Sequence, residues 1–292
     1  MKKTVFTFLI ALACFRVTAQ PDPGAIPVLI RCDDIGMCQS VNAAARQVLE
    51  TGMPVSMSVM VNCPWFSDAV ALLNKYYNVS VGIHLTLNSE WKQYKWGPVA
   101  GASAVPSLVD SLGYFFPSRS LLYANQPKLE EIELELRLQI VKALKAGLDV
   151  DYLDYHMGTA VQTPETRAIV EKLAKEFGLA ISRYFDEVDV PGGYIAPITS
   201  KLDTLTALVK NLKPGGTKLF VFHIGRNTPE MAAMEDMNAF GLKEMGRHRE
   251  AELNALLDPA FLELLQSKKH RLVNYKMLKE EKGLMNMRRP AQ

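Results

Sequence analysis

Short apolar runs rich in β-branched residues alternate along the chain with longer segments whose apolar residues recur every three or four positions. The runs predict strands and the longer segments predict helices. The predicted strands are 28–32, 55–61, 79–87, 150–156, 179–183, 217–223 and 271–275, and the predicted helices are 40–51, 65–76, 129–148, 164–177, 202–212 and 247–257. This alternation predicts an α/β fold with a parallel sheet, and its regular spacing favours a barrel-like arrangement over two domains.

The alternation is interrupted between residues 90 and 126, where glycines, prolines and aromatic residues break any period. A loop of this length in a compact domain is usually functional or mobile. Its aromatic residues Trp91, Tyr94 and Trp96 could stack on the apolar faces of a sugar. They could equally pack the loop onto the body of the protein, so both interpretations stay open.

The first twenty residues have the layout of a secretory signal peptide. Lys2 and Lys3 precede an apolar run at 5–15, and small residues end at Ala19. The apolar run is too short for a permanent membrane span, so we expect no stable membrane insertion. We therefore predict a signal peptide at 1–19, one domain over 20–292, and a secreted, periplasmic protein. Lipid attachment at Cys14 is the weaker alternative, since an arginine follows two residues later.

The net charge and the cysteine content indicate which partners and which disulfides to expect. Loss of residues 1–19 removes three basic residues and no acidic ones, which takes the formal net charge from +2 to −1. No long basic run remains, so a nucleic-acid partner is not expected. The remaining cysteines, Cys32, Cys38 and Cys63, lie in or beside predicted buried segments and are interpreted as small core residues. A bridge between Cys32 and Cys38 stays open.

Polar residues follow the apolar runs at four strand ends. Asp33 and Asp34 end the first strand, and three of the five histidines end later strands: His84, His156 and His223. Functional groups of α/β sheets and barrels gather at the carboxyl ends of the strands. The other two histidines, His248 and His270, are predicted to lie at the surface.

One carboxylate and two histidines form a common catalytic metal site. We therefore predict that Asp34, His84 and His156 bind one divalent ion, zinc or magnesium. Asp33 should point the other way from the strand and could act as a general base on water. The alternative is that the two aspartates are exposed loop residues that cap the following helix.

Several motifs match one family in the same order, from about residue 28 to residue 275. RCDDIGMCQSVNAA resembles the NADDFGLSxGVNxAI signature of the YdjC-like carbohydrate deacetylases, and VSMSVMVNCPWFSDAV resembles the segment that follows it. VGIHLTLN is similar to GLHLTLT of that family, YLDYHMG to HLDSHxH, and FVFHIG to the late CHPG motif. HREAELNALLDP resembles the helix of the family that carries R-x-x-E-L.

The resemblance implies a distorted (β/α) TIM-like barrel and a metal-dependent hydrolase that removes acetyl groups from N-acetylated mono- or oligosaccharides. It places Asp34, His84 and His156 on the metal ligands and Asp33 on the catalytic base. It also places His223 on the acid that protonates the departing amine. A homodimer is a further expectation.

The chain also departs from the family pattern. Arg31 replaces a usual Asn, Ile35 replaces a usual Phe, and Met157 to Thr159 replace further histidines. These changes lie beside the predicted site, so the sugar specificity of the family is not transferred. The residues predicted to contact substrate are Arg31, Trp65, Trp91, Trp96, Tyr155 and Arg183.

Two other functions remain open at this point. The same ligands could serve a metal-dependent phosphoester hydrolase, although the motifs lack a glycine-rich phosphate loop. A non-catalytic glycan-binding protein could use the aromatic loop alone.

Overall fold

The computed structural model describes residues 22–290, so the predicted signal peptide at 1–19 lies outside the described residues. The strands are β1 Ile26–Ile35, β2 Val55–Val59, β3 Val79–Leu85, β4 Val150–Tyr155, β5 Ala180–Ile181, β6 Glu187–Asp189, β7 Thr217–Phe222 and β8 His270–Val273. The helices are α1 Gln39–Glu50, α2 Phe66–Leu73, α3 Arg119–Ala124, α4 Leu129–Lys145, α5 Pro164–Phe177, α6 Lys201–Lys210, α7 Pro229–Ala232, α8 Met245–Leu257, α9 Pro259–Leu265 and α10 Tyr275–Lys282. Single 3₁₀ turns lie at Pro106–Leu108, Ile198–Ser200 and Leu284–Asn286, and a longer, kinked 3₁₀ segment lies at His156–Val161.

All strand pairs are parallel, in the order β5-β4-β3-β2-β1-β7-β6, with β8 also pairing with β1. β8 pairs with the first residues of β1 and β2 pairs with its last residues, while β7 overlaps both ranges. β8 and β2 therefore follow one another along one edge of β1, and β7 occupies the other edge. The sheet curls into an open half-barrel surrounded by helices, which confirms the predicted α/β class and distorted barrel.

β1 lies at the centre of this sheet because its sequence is apolar on both faces. Val28, Leu29, Ile30 and Cys32 are fully buried. Strands of parallel sheets are covered on both sides, so they contain continuous apolar runs rather than alternating ones. The buried end of β1 consequently carries Asp33 and Asp34 into the interior, not into an exposed loop, and both aspartates are nearly inaccessible.

The long loop after β3 is anchored on α4. Glu135 accepts hydrogen bonds from the backbone N–H groups of Val99 and Ala100, at 3.0 and 2.8 Å. Glu131 accepts from Ser107, and Gln139 bonds the backbone of Thr86. The apolar stripe of α4 therefore packs on the core while neighbouring polar residues fix the loop.

The short elements β6, α3, α7, α9 and α10 were not predicted from sequence. The segment 271–275 is a correction, because the strand ends at Val273 and Tyr275 begins α10. The side chain of Asn274 accepts a hydrogen bond from the N–H of Met277, which makes Asn274 an N-cap and starts a helix there.

His270 and the three cysteines of the described region lie in the interior of the protein. His270 is 7% exposed and its Nδ1 lies 2.9 Å from the carbonyl oxygen of Leu264, so its predicted surface position is wrong. His248 is partly buried. The three cysteines of the described region are free and buried, which confirms their core role and removes the Cys32–Cys38 bridge.

None of the helices within residues 22–290 has the length and hydrophobicity needed to cross a bilayer.

Candidate active site

Three buried side chains meet at the carboxyl ends of the strands. The Nδ1 of His156 lies 3.2 Å from the Nε2 of His84, and each of these nitrogens lies 3.4 Å from the Oδ1 of Asp34. The structure thus brings together the three residues that were predicted as metal ligands.

The backbone of Asp34 explains how two consecutive aspartates reach one site. Asp34 has a φ of 65°, and the pairing of β1 with β2 shifts register between Cys32 and Ile35. Such irregularities re-aim side chains at the ends of strands. As a result, Asp34 groups with His84 and His156, while Asp33 also has a carboxylate oxygen within 4.8 Å of a nitrogen of His84.

Each histidine has a carboxylate on its other ring nitrogen. The Nδ1 of His84 lies 3.0 Å from Oδ2 of Asp154, and the Nε2 of His156 lies 2.9 Å from Oε2 of Glu90. A neutral imidazole that donates one N–H to a carboxylate keeps its second nitrogen as an acceptor. The two histidines therefore present opposite nitrogens, Nε2 and Nδ1, to the same point.

Asp34 is held in a similar way by Arg249. The Nη2 of Arg249 donates to Oδ2 of Asp34 at 2.6 Å, and both side chains are buried. The other oxygen, Oδ1, is buried and has no hydrogen-bond partner among residues 22–290. A buried carboxylate oxygen without a partner is costly, so this atom is suited to bind a cation.

The surrounding charges also favour a cation. Burial alone would lower the pKa of His84, but Asp154 and Asp33 raise it well above its usual value. Burial is likewise outweighed at His156, where Glu90 and Asp34 raise the pKa to about 9. The carboxylates of the pocket therefore favour positive charge at this point, either as protons on the two rings or as a bound cation that displaces those protons.

Asp33 is paired with Arg31. The Nε and Nη2 of Arg31 donate to the two carboxylate oxygens of Asp33 at 2.7 Å each, and Nη1 donates to Ser182 at 2.7 Å. Burial opposes ionisation of Asp33, but Arg31 lowers its pKa to about 2. Asp33 is therefore ionised at neutral pH. Arg31 was predicted to contact substrate, whereas the structure places its guanidinium on internal partners.

His223 follows β7 at the same end of the sheet. Its backbone N–H donates to Oε2 of Glu252 at 2.6 Å, and its ring lies edge-on to Tyr194 with 5.1 Å between ring centroids. Its Nδ1 is buried without a partner in the described part of the chain. Burial lowers the pKa of His223 to about 4, although Asp34 and Asp33 oppose this change, so the ring is neutral at pH 7.

The aromatic loop packs inward. Trp91 and Trp96 are 1% and 3% exposed, so neither offers an open ring face to a sugar. Trp96 donates its Nε1–H to the carbonyl of Asn88 and lies edge-on to His156, with 6.2 Å between ring centroids. The guanidinium carbon of Arg249 lies 5.8 Å from the ring centroid of Trp91. Both indole rings therefore pack onto the body of the protein, which is the second of the two interpretations of this loop.

The other predicted substrate contacts are partly buried. The guanidinium of Arg183 lies 6.0 Å from the ring centroid of Tyr155 and is paired with Asp189. The backbone of Trp65 bonds Gly36 and the side chain of Asn42. These backbone contacts of Trp65 are thus with the β1–α1 connection and with α1 itself.

Four site residues were missed from the sequence: Glu90, Asp154, Arg249 and Glu252. Asp154 precedes His156 by two residues, and the R-x-x-E-L motif contains Arg249 and Glu252, so these three had a weak signal. Glu90 lies in a stretch without any period, and no sequence pattern marked it.

The fold and the site define an α/β half-barrel protein with a buried Asp/His/His cluster that can hold a metal ion. The model of a family described as YdjC-like protein matches residues 27–267. The chain therefore belongs to the YdjC-like family.

Two curated relatives are named carbohydrate deacetylase. The relative from Thermoanaerobacter pseudethanolicus is 23% identical over 266 residues, covering 86% of this chain and 99% of that protein. The relative from Brevibacillus brevis is 33% identical over 154 residues, covering 53% of this chain and 58% of that protein. The second match thus spans little more than half of each protein.

A crystal structure supports the fold. It is that of a proposed cellobiose-phosphate cleavage protein from Enterococcus faecalis, and it superposes with a TM-score of 0.70 at 20% identity. The match covers 87% of this chain and 99% of the other.

Proposed function

We propose that this protein is a secreted, metal-dependent hydrolase that removes the acetyl group from N-acetylated mono- or oligosaccharides. The observation that carries this proposal is the convergence of Asp34 Oδ1, His84 Nε2 and His156 Nδ1 within 3.2–3.4 Å. The names of the curated relatives support the substrate class.

The donor set fits a divalent ion. Two donors bound at about 2.1 Å to one tetrahedral zinc lie about 3.4 Å apart, which matches the spacing of these three atoms. Asp34, His84 and His156 would hold the ion, and one oxygen with two nitrogens suits zinc well and tolerates magnesium. A bound ion supplies positive charge that polarises the acetyl carbonyl oxygen and the attacking water.

Asp33 accepts the proton of the attacking water. Its pairing with Arg31 keeps the carboxylate ionised and fixes its direction. A carboxylate with a lowered pKa is a weak base, so the step depends on the polarisation of the water. In this step an O–H bond of water breaks, the water oxygen bonds the carbonyl carbon, and the π pair of the C=O bond moves onto the carbonyl oxygen.

His223 protonates the nitrogen as the C–N bond breaks, which gives acetate and a free amine. Because its ring is neutral in the ligand-free protein, it must gain a proton first. For the cycle to balance, His223 must gain one proton for each proton that Asp33 takes from water, and the negative charges of Asp34 and Asp33 favour the protonated ring against the effect of burial. An amine leaves poorly unless it is protonated, which is why the reaction needs an acid at this place.

The test combines metal analysis with substrate assays. The purified protein is treated with a chelator, reloaded with zinc or magnesium, and assayed for acetate release from N-acetylglucosamine oligomers. We expect turnover only in the reloaded protein. Turnover of aryl phosphates alone would favour the phosphoester hydrolase, and glycan binding without any turnover would favour a binding protein.

The proposed secretion has its own test. We expect the protein in the periplasmic fraction of its cells, with a mature N-terminus near Gln20. An intact N-terminus in the cytoplasmic fraction would contradict this part of the proposal.

A further inference from the structure

Lys201, the first residue of α6, is a buried lysine outside the Asp34, His84 and His156 cluster. Its side chain is 1% exposed, and lysine is rarely buried unless it is paired. Its Nζ donates to the carbonyl oxygens of Gly193 and Tyr194 at 3.0 and 2.7 Å. It also lies 3.4 Å from Oε1 of Glu252. All three of these contacts of the ammonium group are with buried or partly buried residues of the protein.

Glu252 connects this lysine to His223. Its Oε1 faces Lys201, and its Oε2 accepts the backbone N–H of His223 at 2.6 Å. Arg249, three residues earlier on α8, donates to Asp34. Residues three apart lie on the same face of a helix. One face of α8 therefore contacts both the proposed acid and a proposed metal ligand.

Lys201 also fixes the aromatic neighbour of His223. The carbonyl of Tyr194 is one of its acceptors, and the Tyr194 ring lies edge-on to the imidazole. The adjacent Gly193 packs so closely on α6 that an added Cβ would lie 2.9 Å from Cδ2 of Leu205. The position of the Tyr194 segment thus depends on α6 and on the lysine at its start.

Stability alone is a weak explanation for this ion pair. Burying two charges costs solvation free energy, and well-packed apolar residues of similar size are often equally stabilising. The pair instead fixes the direction of two groups, the strand end with His223 and the segment with Tyr194. Apolar residues of the same size could not make the hydrogen bonds that fix these two segments.

We propose that Lys201 and Glu252 are positioning residues that hold the His223 imidazole, with Tyr194 against it, where it can protonate the departing nitrogen. This inference rests on the proposed deacetylase function. Both residues act through His223 and neither needs to contact the substrate.

A double-mutant cycle tests this role. Lys201→Met, His223→Ala and the double variant are compared for acetate release from an N-acetylglucosamine oligomer, with metal content and thermal unfolding measured for each. A misplacement of about 1 Å in a catalytic group can cost about 10²-fold in rate, so we expect a loss of this order in kcat for Lys201→Met. In the His223→Ala background the same substitution should have little further effect, because the group that it positions is absent.

A second substrate separates positioning from general damage. The 4-nitrophenolate of 4-nitrophenyl acetate leaves without protonation, so the loss of a proton donor should affect this ester far less than the amide. Lys201→Met and His223→Ala should therefore lower the ratio of amide to ester turnover in the same direction. Lys201→Gln and Glu252→Gln are the milder variants if Lys201→Met does not fold.

Lys218 offers a matched control. It is also a buried lysine that donates to a backbone carbonyl, that of Gly215, but it lies at the start of β7 and not at its end. Lys218→Met should leave the ratio unchanged.

The outcomes are distinguishable. Additive losses from Lys201→Met and His223→Ala, or equal losses on amide and ester, would overturn the positioning role and leave the deacetylase function intact. Failure of the unaltered, metal-loaded protein to release acetate would contradict the proposed function itself, and the inference would fall with it.

Discussion

Each of the three proposed metal ligands has two polar side-chain atoms. The inner atom points to the shared point between the ligands, and the outer atom is bound by a neighbouring side chain. Asp154 and Glu90 bind the outer nitrogens of the two histidines, and Arg249 binds the outer oxygen of Asp34. Such outer partners orient the ligand and select the histidine tautomer. The inner atoms are therefore directed to a common point before any ion is bound.

Removal of one outer partner should weaken metal binding. Glu90→Ala is expected to lower the zinc affinity about 10- to 100-fold, since His156 loses the carboxylate that fixes its ring. Glu90→Gln keeps an acceptor for the His156 N–H and should lose less. The affinities are measured by competition with a coloured chelator. Equal affinity in Glu90→Ala and the unaltered protein would contradict this role.

Asp33 should matter for turnover and not for metal binding. Asp33→Asn removes the base, so we expect acetate release to fall by about 10²- to 10⁴-fold. The metal content should stay that of the unaltered protein, because Asp33 is not among the three ligands. Full activity of Asp33→Asn would show that another group accepts the proton.

At the scale of elements, α4 shows how buried acids secure a long loop. Glu135 accepts two backbone N–H groups of the loop after β3. Glu133, on the same helix, instead makes partly exposed ion pairs with Arg137 of α4 and Lys172 of α5. The apolar stripe of α4 was predicted from its four-residue repeat. The anchoring role of Glu135 was not, because an isolated sequence shows no partner for it.

The two glutamates make a matched pair for a stability measurement. Glu135→Ala leaves two backbone donors without an acceptor and should lower the free energy of unfolding by about 2 to 4 kcal/mol. Glu133→Ala should lower it by at most about 1 kcal/mol, as is usual for surface ion pairs. Denaturant titration of both variants gives the comparison, and equal losses would show that the loop is held by other contacts.

The short helices and the edge strand escaped prediction from the sequence for one shared reason, their length. The helices α9 and α10 are short, and their starts are set by single side chains, Asp258 and Asn274, which accept backbone N–H groups. Periodicity needs several turns to be visible, so it identified α4 and α5 and overlooked these elements. The edge strand β6 has only three residues, Glu187–Asp189, which is too short for any pattern.

At the scale of the whole molecule, the parallel half-barrel explains why the site could be predicted in part. Parallel strands end at the same edge, so Asp33, Asp34, His84, His156 and His223 were expected to meet from their positions after the strands. Glu90, Arg249 and Lys201 come from a loop and two outer helices. Only tertiary packing brings these residues to the site. The motif around Arg249 marked its helix but not its contact with Asp34, and no local pattern marked Glu90 or Lys201.

If the proposed function is right, deacetylation depends on a divalent ion held by Asp34, His84 and His156. The most direct measurement is a zinc titration of the chelated protein, followed in the same samples by acetate release from an N-acetylglucosamine oligomer. We predict that acetate release rises in parallel with zinc bound, reaches its maximum at one ion per chain, and is lost in His84→Ala together with zinc binding. Full acetate release from the metal-free protein, or zinc binding that is unchanged in His84→Ala, would contradict the claim.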